Sequence, residues 1–165
     1  MQSDDDFSEF VAARWSRLVR AAILLGCSPV EAEDIVQSAL ERCLLNWPRV
    51  ERATDPDAYV HRVLINTFTS TRRRRWTGER PVARVPDEPA PDSTGQVDDA
   101  DALLRALELL PSDQRVAVVL RYYAMLTEAQ MATALDVAPG TVKSRLSRAF
   151  RALAADPNLR ALRGP

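Results

Sequence analysis

The sequence predicts an all-α protein built from two small helical domains that are joined by a flexible linker. Apolar residues recur at helical spacing up to residue 76 and again after residue 98, and no convincing alternating strand pattern interrupts them. Between these parts, residues 77–97 hold four prolines, two glycines and several acidic residues. Because such a composition cannot bury a core, it predicts a tether between two domains.

The first part contains three predicted helices, each with an apolar face. They cover residues 7–25, 35–44 and 57–76. Prolines punctuate the chain between them, at positions 29, 48 and 56. We expect residues 47–56 to form a loop.

The second predicted helix has an acidic, polar face. Its members are Glu31, Glu33, Asp34, Gln37 and Glu41. A surface that binds DNA would not carry acids, so this face either is solvated or docks a basic protein surface. The residues alone favour the solvated face.

The third predicted helix ends in four consecutive arginines, Arg72 to Arg75, followed by Trp76. Arginine suits bidentate phosphate contacts, although a basic helix end that faces water and complements the helix dipole explains the run equally well. The same helix carries an aromatic ring, amides, hydroxyls and cations, which suit contact with unstacked bases: Tyr59, His61, Arg62, Asn66, Thr67 and Ser70. We expect Trp76 to be a packing residue.

After the linker, helical periodicity returns and leads into a helix-turn-helix pattern. Apolar residues repeat over 103–110 and 116–123, with Pro111 and Ser112 between. Thr127 and Gln130 then form a capping-box pattern for a short helix. Residues 136–140 supply the break before the last helix, where a proline suits the first turn.

The last predicted helix divides into an apolar stripe and a basic face. The stripe consists of Val142, Leu146, Ala149 and Leu153. The opposite face is mostly polar or basic and consists of Lys143, Ser144, Ser147, Arg148 and Arg151. Arg145 lies at its margin. A helix that reads the DNA major groove needs this division, and the pattern favours DNA reading over an ordinary amphipathic helix.

Composition narrows the function classes. The chain has 165 residues, 46% of them apolar and 27% charged, and a net charge of −1, so nucleic-acid binding must come from local clusters. No apolar stretch approaches membrane-spanning length and the acidic amino terminus does not resemble a signal peptide, so we expect a cytoplasmic protein.

With Cys27, Cys43 and a single histidine, we expect no metal site and no cofactor. Buried free thiols are favoured, and a redox pair stays open as the alternative.

Four motifs together resemble the bacterial extracytoplasmic-function (ECF) sigma factors of RNA polymerase, and most closely the SigE-type subfamily. They are AEDIVQSAL (32–40), DAYVHRVLINT (57–67) with the arginine run, LPSDQRVAVVLRYY (110–123) and GTVKSRLSRA (140–149). Their order and spacing are those of the family, and the resemblance covers about residues 7–155. It implies sigma region 2 in residues 1–76, a linker in 77–97, sigma region 4 in 98–155 and a tail in 156–165.

The resemblance implies a role for individual residues. Region 2 is expected to bind the β′ clamp helices of core RNA polymerase through Glu33, Asp34, Gln37 and Glu41. It is expected to melt and read the −10 promoter element through Tyr59, Arg62, Asn66, Thr67, Ser70, Arg72, Arg73, Arg74 and Arg75. Region 4 is expected to meet the β flap and to read the −35 element through Arg121, Lys143, Ser144, Arg145, Ser147, Arg148 and Arg151.

The implied function is to direct core polymerase to specific promoters and to aid strand opening, without enzymatic activity. The alternative is an autonomous helix-turn-helix regulator that binds duplex DNA. An anti-sigma partner is also implied, but the sequence does not identify it, the inducing signal or the promoters.

Three residues depart from the family pattern. Ala138 stands where a serine commonly caps the recognition helix, and Gln130 replaces a common glutamate in the preceding helix. Ser147 is small where a larger side chain can read a base. We expect the loop of residues 47–56 to determine −10 specificity.

Overall fold

The computed structural model describes residues 2–78 and 96–162, and every regular element in these two ranges is helical. The predicted all-α fold is therefore confirmed. The helices are α1 (Gln2–Leu24), α2 (Pro29–Leu45), α3 (Trp47–Glu51), α4 (Pro56–Gly78), α5 (Gln96–Leu109), α6 (Ser112–Val118), a π-helical turn (Val119–Tyr123), α7 (Glu128–Leu135), α8 (Pro139–Ala155) and α9 (Pro157–Leu162). Residues 79–95, most of the predicted linker, and the side chain of Trp76 lie outside the described part.

Helix α2 begins with a complete capping box. The Ser28 hydroxyl accepts a hydrogen bond from the backbone N–H of Glu31 at 3.3 Å, and the Glu31 carboxylate accepts one from the backbone N–H of Ser28 at 2.9 Å. Glu31 therefore serves the start of the helix and is not part of the exposed polar face. The opposite side of α2 is buried between α1 and α4.

Helix α3 corrects the prediction of a continuous loop over residues 47–56. Trp47 and Val50 are buried, and the Trp47 ring packs edge-on against Phe7 and Phe10 with centroids 5.2 and 5.1 Å apart. Pro48 lies in the first turn, where its missing N–H costs nothing. The real loop is short and runs from residue 52 to 55.

Helix α4 is the centre of the first domain, and it packs on α1, α2 and α3. Its inward face buries Val60, Leu64, Ile65 and Phe68. Asp55 caps its start, because the Asp55 carboxylate accepts a hydrogen bond from the backbone N–H of Ala58 at 2.9 Å.

His61 belongs to this core and not to an exposed surface. It is 5% exposed, and its Nδ1 lies 2.8 Å from the Asp57 carbonyl oxygen. Burial lowers the pKa of His61 below its ordinary value, while the hydrogen bond and the charge of Asp57 oppose this shift. The ring is therefore neutral near pH 7 and donates its Nδ1–H to the carbonyl.

The second domain contains the expected helix-turn-helix, with three local differences. The segment over 116–123 is α-helical up to Val118 and continues as the π-helical turn, where the Ala124 N–H donates to the Val119 carbonyl at 3.0 Å. Gly140 lies in the first turn of α8 and not in the break. Helix α9 occupies residues that were predicted to be a tail.

The predicted caps of the helix-turn-helix are present as expected. Thr127 and Gln130 form the capping box of α7, with backbone-to-side-chain bonds of 3.2 and 2.7 Å. Asp136 takes the left-handed conformation that ends α7, at φ 52°. Ala138 occupies the N-cap position of α8 and supplies no side-chain hydrogen bond.

The two domains share one apolar core. Buried residues of α7 and α8, including Met131 and Val142, belong to the same cluster as Val60 and Leu64 of α4. Helix α7 packs directly on α4, and the π-helical turn contacts α1. The first and second domains therefore form a single closed body.

A turn between α1 and α2 receives two arginines from distant parts of the chain. Arg115 of α6 is buried and donates to the Leu25 carbonyl at 3.1 Å and to the Leu107 carbonyl at 2.5 Å. Arg72 of α4 donates to the Gly26 carbonyl at 3.0 Å. Gly26 has φ +101°, and a Cβ atom there would collide with the Arg115 guanidinium. Only glycine suits this position.

We predict that Gly26→Ala lowers the free energy of unfolding by roughly 2 kcal/mol, because it combines a strained backbone with a steric clash. Gly140→Ala is the matched control, since nothing lies within 4 Å of a Cβ there and the position is helical. The control should raise stability by about 0.5 kcal/mol. Urea denaturation measures both, and equal effects would contradict the assignment of Gly26.

Candidate nucleic-acid interface

One face of α4 carries a line of polar side chains that we call the outer stripe. Its members are spaced three or four residues apart, so they share one side of the helix: Tyr59, Arg62, Asn66, Ser70 and Arg73. Arg62, Asn66 and Arg73 are exposed, whereas Tyr59 and Ser70 are half-buried. The outer stripe presents an aromatic ring, an amide, a hydroxyl and two guanidinium groups, a combination that suits contact with unstacked bases and phosphates.

Thr67, another predicted −10 contact, is turned into the fold. It is 3% exposed. Its hydroxyl donates to the Val63 carbonyl at 2.8 Å and accepts a hydrogen bond from Arg42 at 3.1 Å. In this arrangement Thr67 ties α4 to α2 and does not reach the outer stripe.

The arginine run splits into two pairs with different surroundings. Arg72 bonds the Gly26 carbonyl and lies 4.7 Å above the Phe68 ring, and Arg75 forms an ion pair with Glu31. All four side chains are exposed, but within the described residues Arg73 and Arg74 make no such contact. The split follows from helical geometry, since successive residues point about 100° apart, and a helical projection of the sequence would have revealed it.

Helix α8 presents the predicted basic face. Lys143, Ser147, Arg148 and Arg151 are exposed, and Lys143 lies 3.9 Å from the Glu128 carboxylate. The remaining predicted −35 residues are half-buried: Ser144, Arg145 and Arg121.

Each half-buried residue has a partner within the chain. Ser144 donates to the Thr141 carbonyl at 3.0 Å. Arg145 pairs with Asp113 at 3.4 Å, and Arg121 donates to the Leu126 carbonyl at 3.1 Å. The Arg145–Asp113 pair joins α8 to α6, whereas the other two contacts lie within α8 and within the turn before α7.

Helix α2 presents the predicted protein-docking face, which consists of Glu33, Asp34, Gln37 and Glu41. All four are exposed, and Gln37 donates to Glu41 at 3.3 Å. The sequence reasoning missed two apolar neighbours, Val30 at 71% exposure and Leu45 at 83%. Val30 lies four residues before Asp34, and Leu45 lies four residues after Glu41. Residues at this spacing are neighbours on one side of a helix, so the spacing could have revealed both.

The two cysteines are buried and have no disulfide. Burial raises the pKa of Cys43 to about 11. Burial also raises the pKa of Cys27, although the neighbouring guanidinium groups, led by Arg72, oppose the shift. Both side chains are therefore thiols near neutral pH, which supports the interpretation as buried free cysteines.

Within residues 2–78 and 96–162, His, Cys, Asp and Glu side chains form no group that could hold a metal ion. Over the same residues, no helix has the length and apolar character needed to cross a membrane.

Comparison with known proteins agrees with this geometry. Residues 11–77 match the family Sigma-70 region 2, and residues 100–153 match Sigma-70, region 4. Over 148 residues the chain is 39% identical to the RNA polymerase sigma-E factor of Streptomyces coelicolor, which covers 90% of this chain and 84% of that protein. It is 33% identical over 155 residues to the ECF RNA polymerase sigma factor SigL of Mycobacterium tuberculosis, covering 89% and 84%.

The chain is an ECF sigma factor. It resembles, with a TM-score of 0.75 and 29% identity, the solved structure of the sigma factor RpoE of Bartonella quintana in complex with the anti-sigma factor NepR, covering 89% of this chain and 93% of that one. As a sigma factor, the protein works with core RNA polymerase to initiate transcription at specific promoters. An autonomous helix-turn-helix regulator is not favoured, because α1 to α4 match sigma region 2.

We predict that Arg72→Ala destabilises this sigma factor by about 1 kcal/mol, since it removes a hydrogen bond to Gly26 and a cation–π contact with Phe68. Arg73→Ala, the adjacent control, should leave the free energy of unfolding within about 0.5 kcal/mol. Thermal and urea unfolding measure the difference. The split of the arginine run would be wrong if Arg73→Ala proved the more destabilising change.

Proposed function

We propose that the sigma factor divides its work among three separate helical faces. The outer stripe of α4 binds the −10 strand, the basic face of α8 reads the −35 duplex, and the docking face of α2 binds the β′ clamp helices. The single observation that carries this proposal is that the three faces lie on different helices and are each exposed over most of their length. We keep the domain bounds of 1–76 for region 2, 77–97 for the linker, 98–155 for region 4 and 156–165 for the tail.

At the −10 element, single-stranded bases must leave the stack, which costs a few kcal/mol for each base. The Asn66 amide offers both a donor and an acceptor to the edge of a flipped base. Arg62, Arg73 and Arg74 offer guanidinium groups to the phosphates on either side. Arg72 and Arg75 contribute indirectly by holding α4 against the α1–α2 turn and Glu31.

At the −35 element, α8 enters the major groove with its exposed side chains. Lys143, Arg148 and Arg151 provide positive charge for phosphates and guanine edges. The Ser147 side chain is short, so it contacts a base only where α8 lies close to the base pairs. Arg145 positions α8 through its ion pair with Asp113 of α6, while Arg121 bonds the segment before α7 and Ser144 bonds within α8.

At the polymerase, the acidic docking face of α2 meets a basic partner surface, with Asp34 and Gln37 at its centre. Val30 and Leu45 add apolar area at the two ends of the docking face. This suits an interface with polar contacts in the middle and apolar contacts, from which water is excluded, at the ends. Region 4 meets the β flap. The factor acts by binding alone, without enzymatic activity, and works in the cytoplasm where polymerase and chromosome lie.

We also propose an anti-sigma protein as a regulatory partner. Support comes from the similarity to the sigma factor RpoE of Bartonella quintana, which was solved with the anti-sigma factor NepR. The likeness spans both domains, because it covers 89% of this chain.

The division of work is tested with Asp34→Ala and Lys143→Ala in binding and transcription assays with core polymerase. The promoters are those found by mapping transcript starts after overexpression. We predict that Asp34→Ala weakens core binding about tenfold, since it removes a charged contact. Lys143→Ala should leave the affinity for core polymerase unchanged. It should lower the slope of log promoter affinity against log salt concentration by about one, because one phosphate contact is lost.

The wild-type chain and Glu9→Ala, an exposed acid on α1 outside the three faces, serve as controls. If both test variants changed core affinity equally, the division between α2 and α8 would be wrong. Failure of the wild-type chain to co-elute with core polymerase would contradict the proposed docking altogether.

A further inference from the structure

The basic face of α8 contains the only lysine in the chain. Of the 22 basic residues in the sequence, 21 are arginines, and the exception is Lys143. The two side chains are not interchangeable, because arginine presents a planar fork of donors to an anion whereas lysine presents one compact ammonium group. A lysine at this single position therefore needs a physical explanation.

Glu128, the first residue of α7, supplies the anion that faces this lysine. The Lys143 ammonium lies 3.9 Å from the Glu128 carboxylate, and the two side chains are 70% and 40% exposed. This distance allows charge attraction but exceeds the length of a hydrogen bond. The donors of the ammonium group therefore stay free for another acceptor, and DNA can reach them from solvent.

Two arginines that face an acid on a neighbouring helix form closer contacts. Arg14 of α1 donates from two nitrogens to the two carboxylate oxygens of Asp57 in α4, at 2.5 and 3.5 Å. Arg75 of α4 donates to the carboxylate of Glu31 in α2. Such forked contacts are stronger than a single neutral hydrogen bond. An arginine at position 143 would bring the same fork to the acid at the start of α7.

The choice between lysine and arginine changes what is gained when DNA replaces Glu128. The lysine ammonium leaves a contact that has no hydrogen bond, and it then donates hydrogen bonds to a phosphate oxygen. An arginine would leave one bidentate contact and form another, so the exchange would gain little. Lysine at this position therefore keeps the cation available to DNA.

We propose that Glu128 and Lys143 form an exchangeable ion pair, in which Glu128 holds the ammonium over the start of α8 until a phosphate of the −35 duplex replaces it. The exchange requires lysine, since an arginine would stay bound to Glu128. Glu128 is thus a positioning residue that acts through Lys143 and does not itself bind DNA, because like charges repel. The proposal rests on the proposed function of α8.

The test is Lys143→Arg in the full-length chain, which conserves the charge. Binding of the polymerase holoenzyme is measured over a range of salt concentrations to a duplex that carries a −35 element found by transcript mapping. We expect promoter affinity to fall about threefold to fivefold, because one exposed cation stays paired within the chain. The slope of log affinity against log salt concentration should fall by about one, while the affinity for core polymerase stays unchanged.

The double variant of Lys143→Arg with Glu128→Gln removes the competing charge. Glutamine leaves the capping box of Thr127 and Gln130 in place, so α7 should fold normally. Promoter affinity and salt slope should both return at least to the wild-type values. Lys143→Arg with Asp136→Asn is the matched charge control, since it removes an acid from the other end of α7 and asparagine accepts the left-handed backbone there. This control should not restore binding.

Wild-type promoter affinity in Lys143→Arg, or a defect that persists after Glu128→Gln, would overturn the exchangeable pair. Equal rescue by Asp136→Asn would also overturn it, because the net charge of the domain would then account for the effect. If Lys143→Ala left the salt slope unchanged, the proposed function of α8 would be wrong whatever the Glu128 variants showed.

Discussion

The packing of α4 on both of its sides is the constraint on which the rest of the structure depends. Its inner face must bury Val60, Leu64 and Phe68 against α1 and α2 to give the first domain a core. Helix α7 of the second domain packs on the same helix. Only a narrow line of side chains, the outer stripe, is left on the surface of α4, and it is the line through which we propose that the helix meets DNA. The packing of both domains and the proposed promoter reading therefore depend on one helix.

This constraint explains why residues of one chemical type serve different purposes. Arg72 and Arg73 are neighbours in sequence and both are exposed, yet only Arg72 bonds the carbonyl of Gly26. Glu31 and Glu33 differ in the same way, since Glu31 caps α2 and pairs with Arg75 while Glu33 stays exposed. Charge alone does not assign a role on a helix. The direction in which each side chain leaves the helix decides between structural and binding roles.

Local patterns in the sequence predicted most of the fold and the faces of the site. The capping box at Thr127, the uncapped start at Ala138 and the apolar stripe of α8 depend on neighbours within one or two turns, and all three are present. The sequence did not predict helix α3, whose Trp47 packs against Phe7 and Phe10 from a distant part of the chain. It also did not predict the bonds from Arg115 to Leu25 and from Gln130 to Asp55, which join residues 90 and 75 positions apart. Such long-range pairs leave no periodic signal.

We infer that the first and second domains, which share one core in the closed chain, move apart when the sigma factor binds promoter DNA with core polymerase. Energy transfer between dyes on Ala13→Cys in α1 and Leu109→Cys in α5 measures this directly, since both positions are exposed and the native cysteines are buried. We expect high transfer efficiency in the free sigma factor and a large fall once core polymerase and promoter DNA are bound. The same high efficiency in the free chain and in the promoter complex would contradict the account.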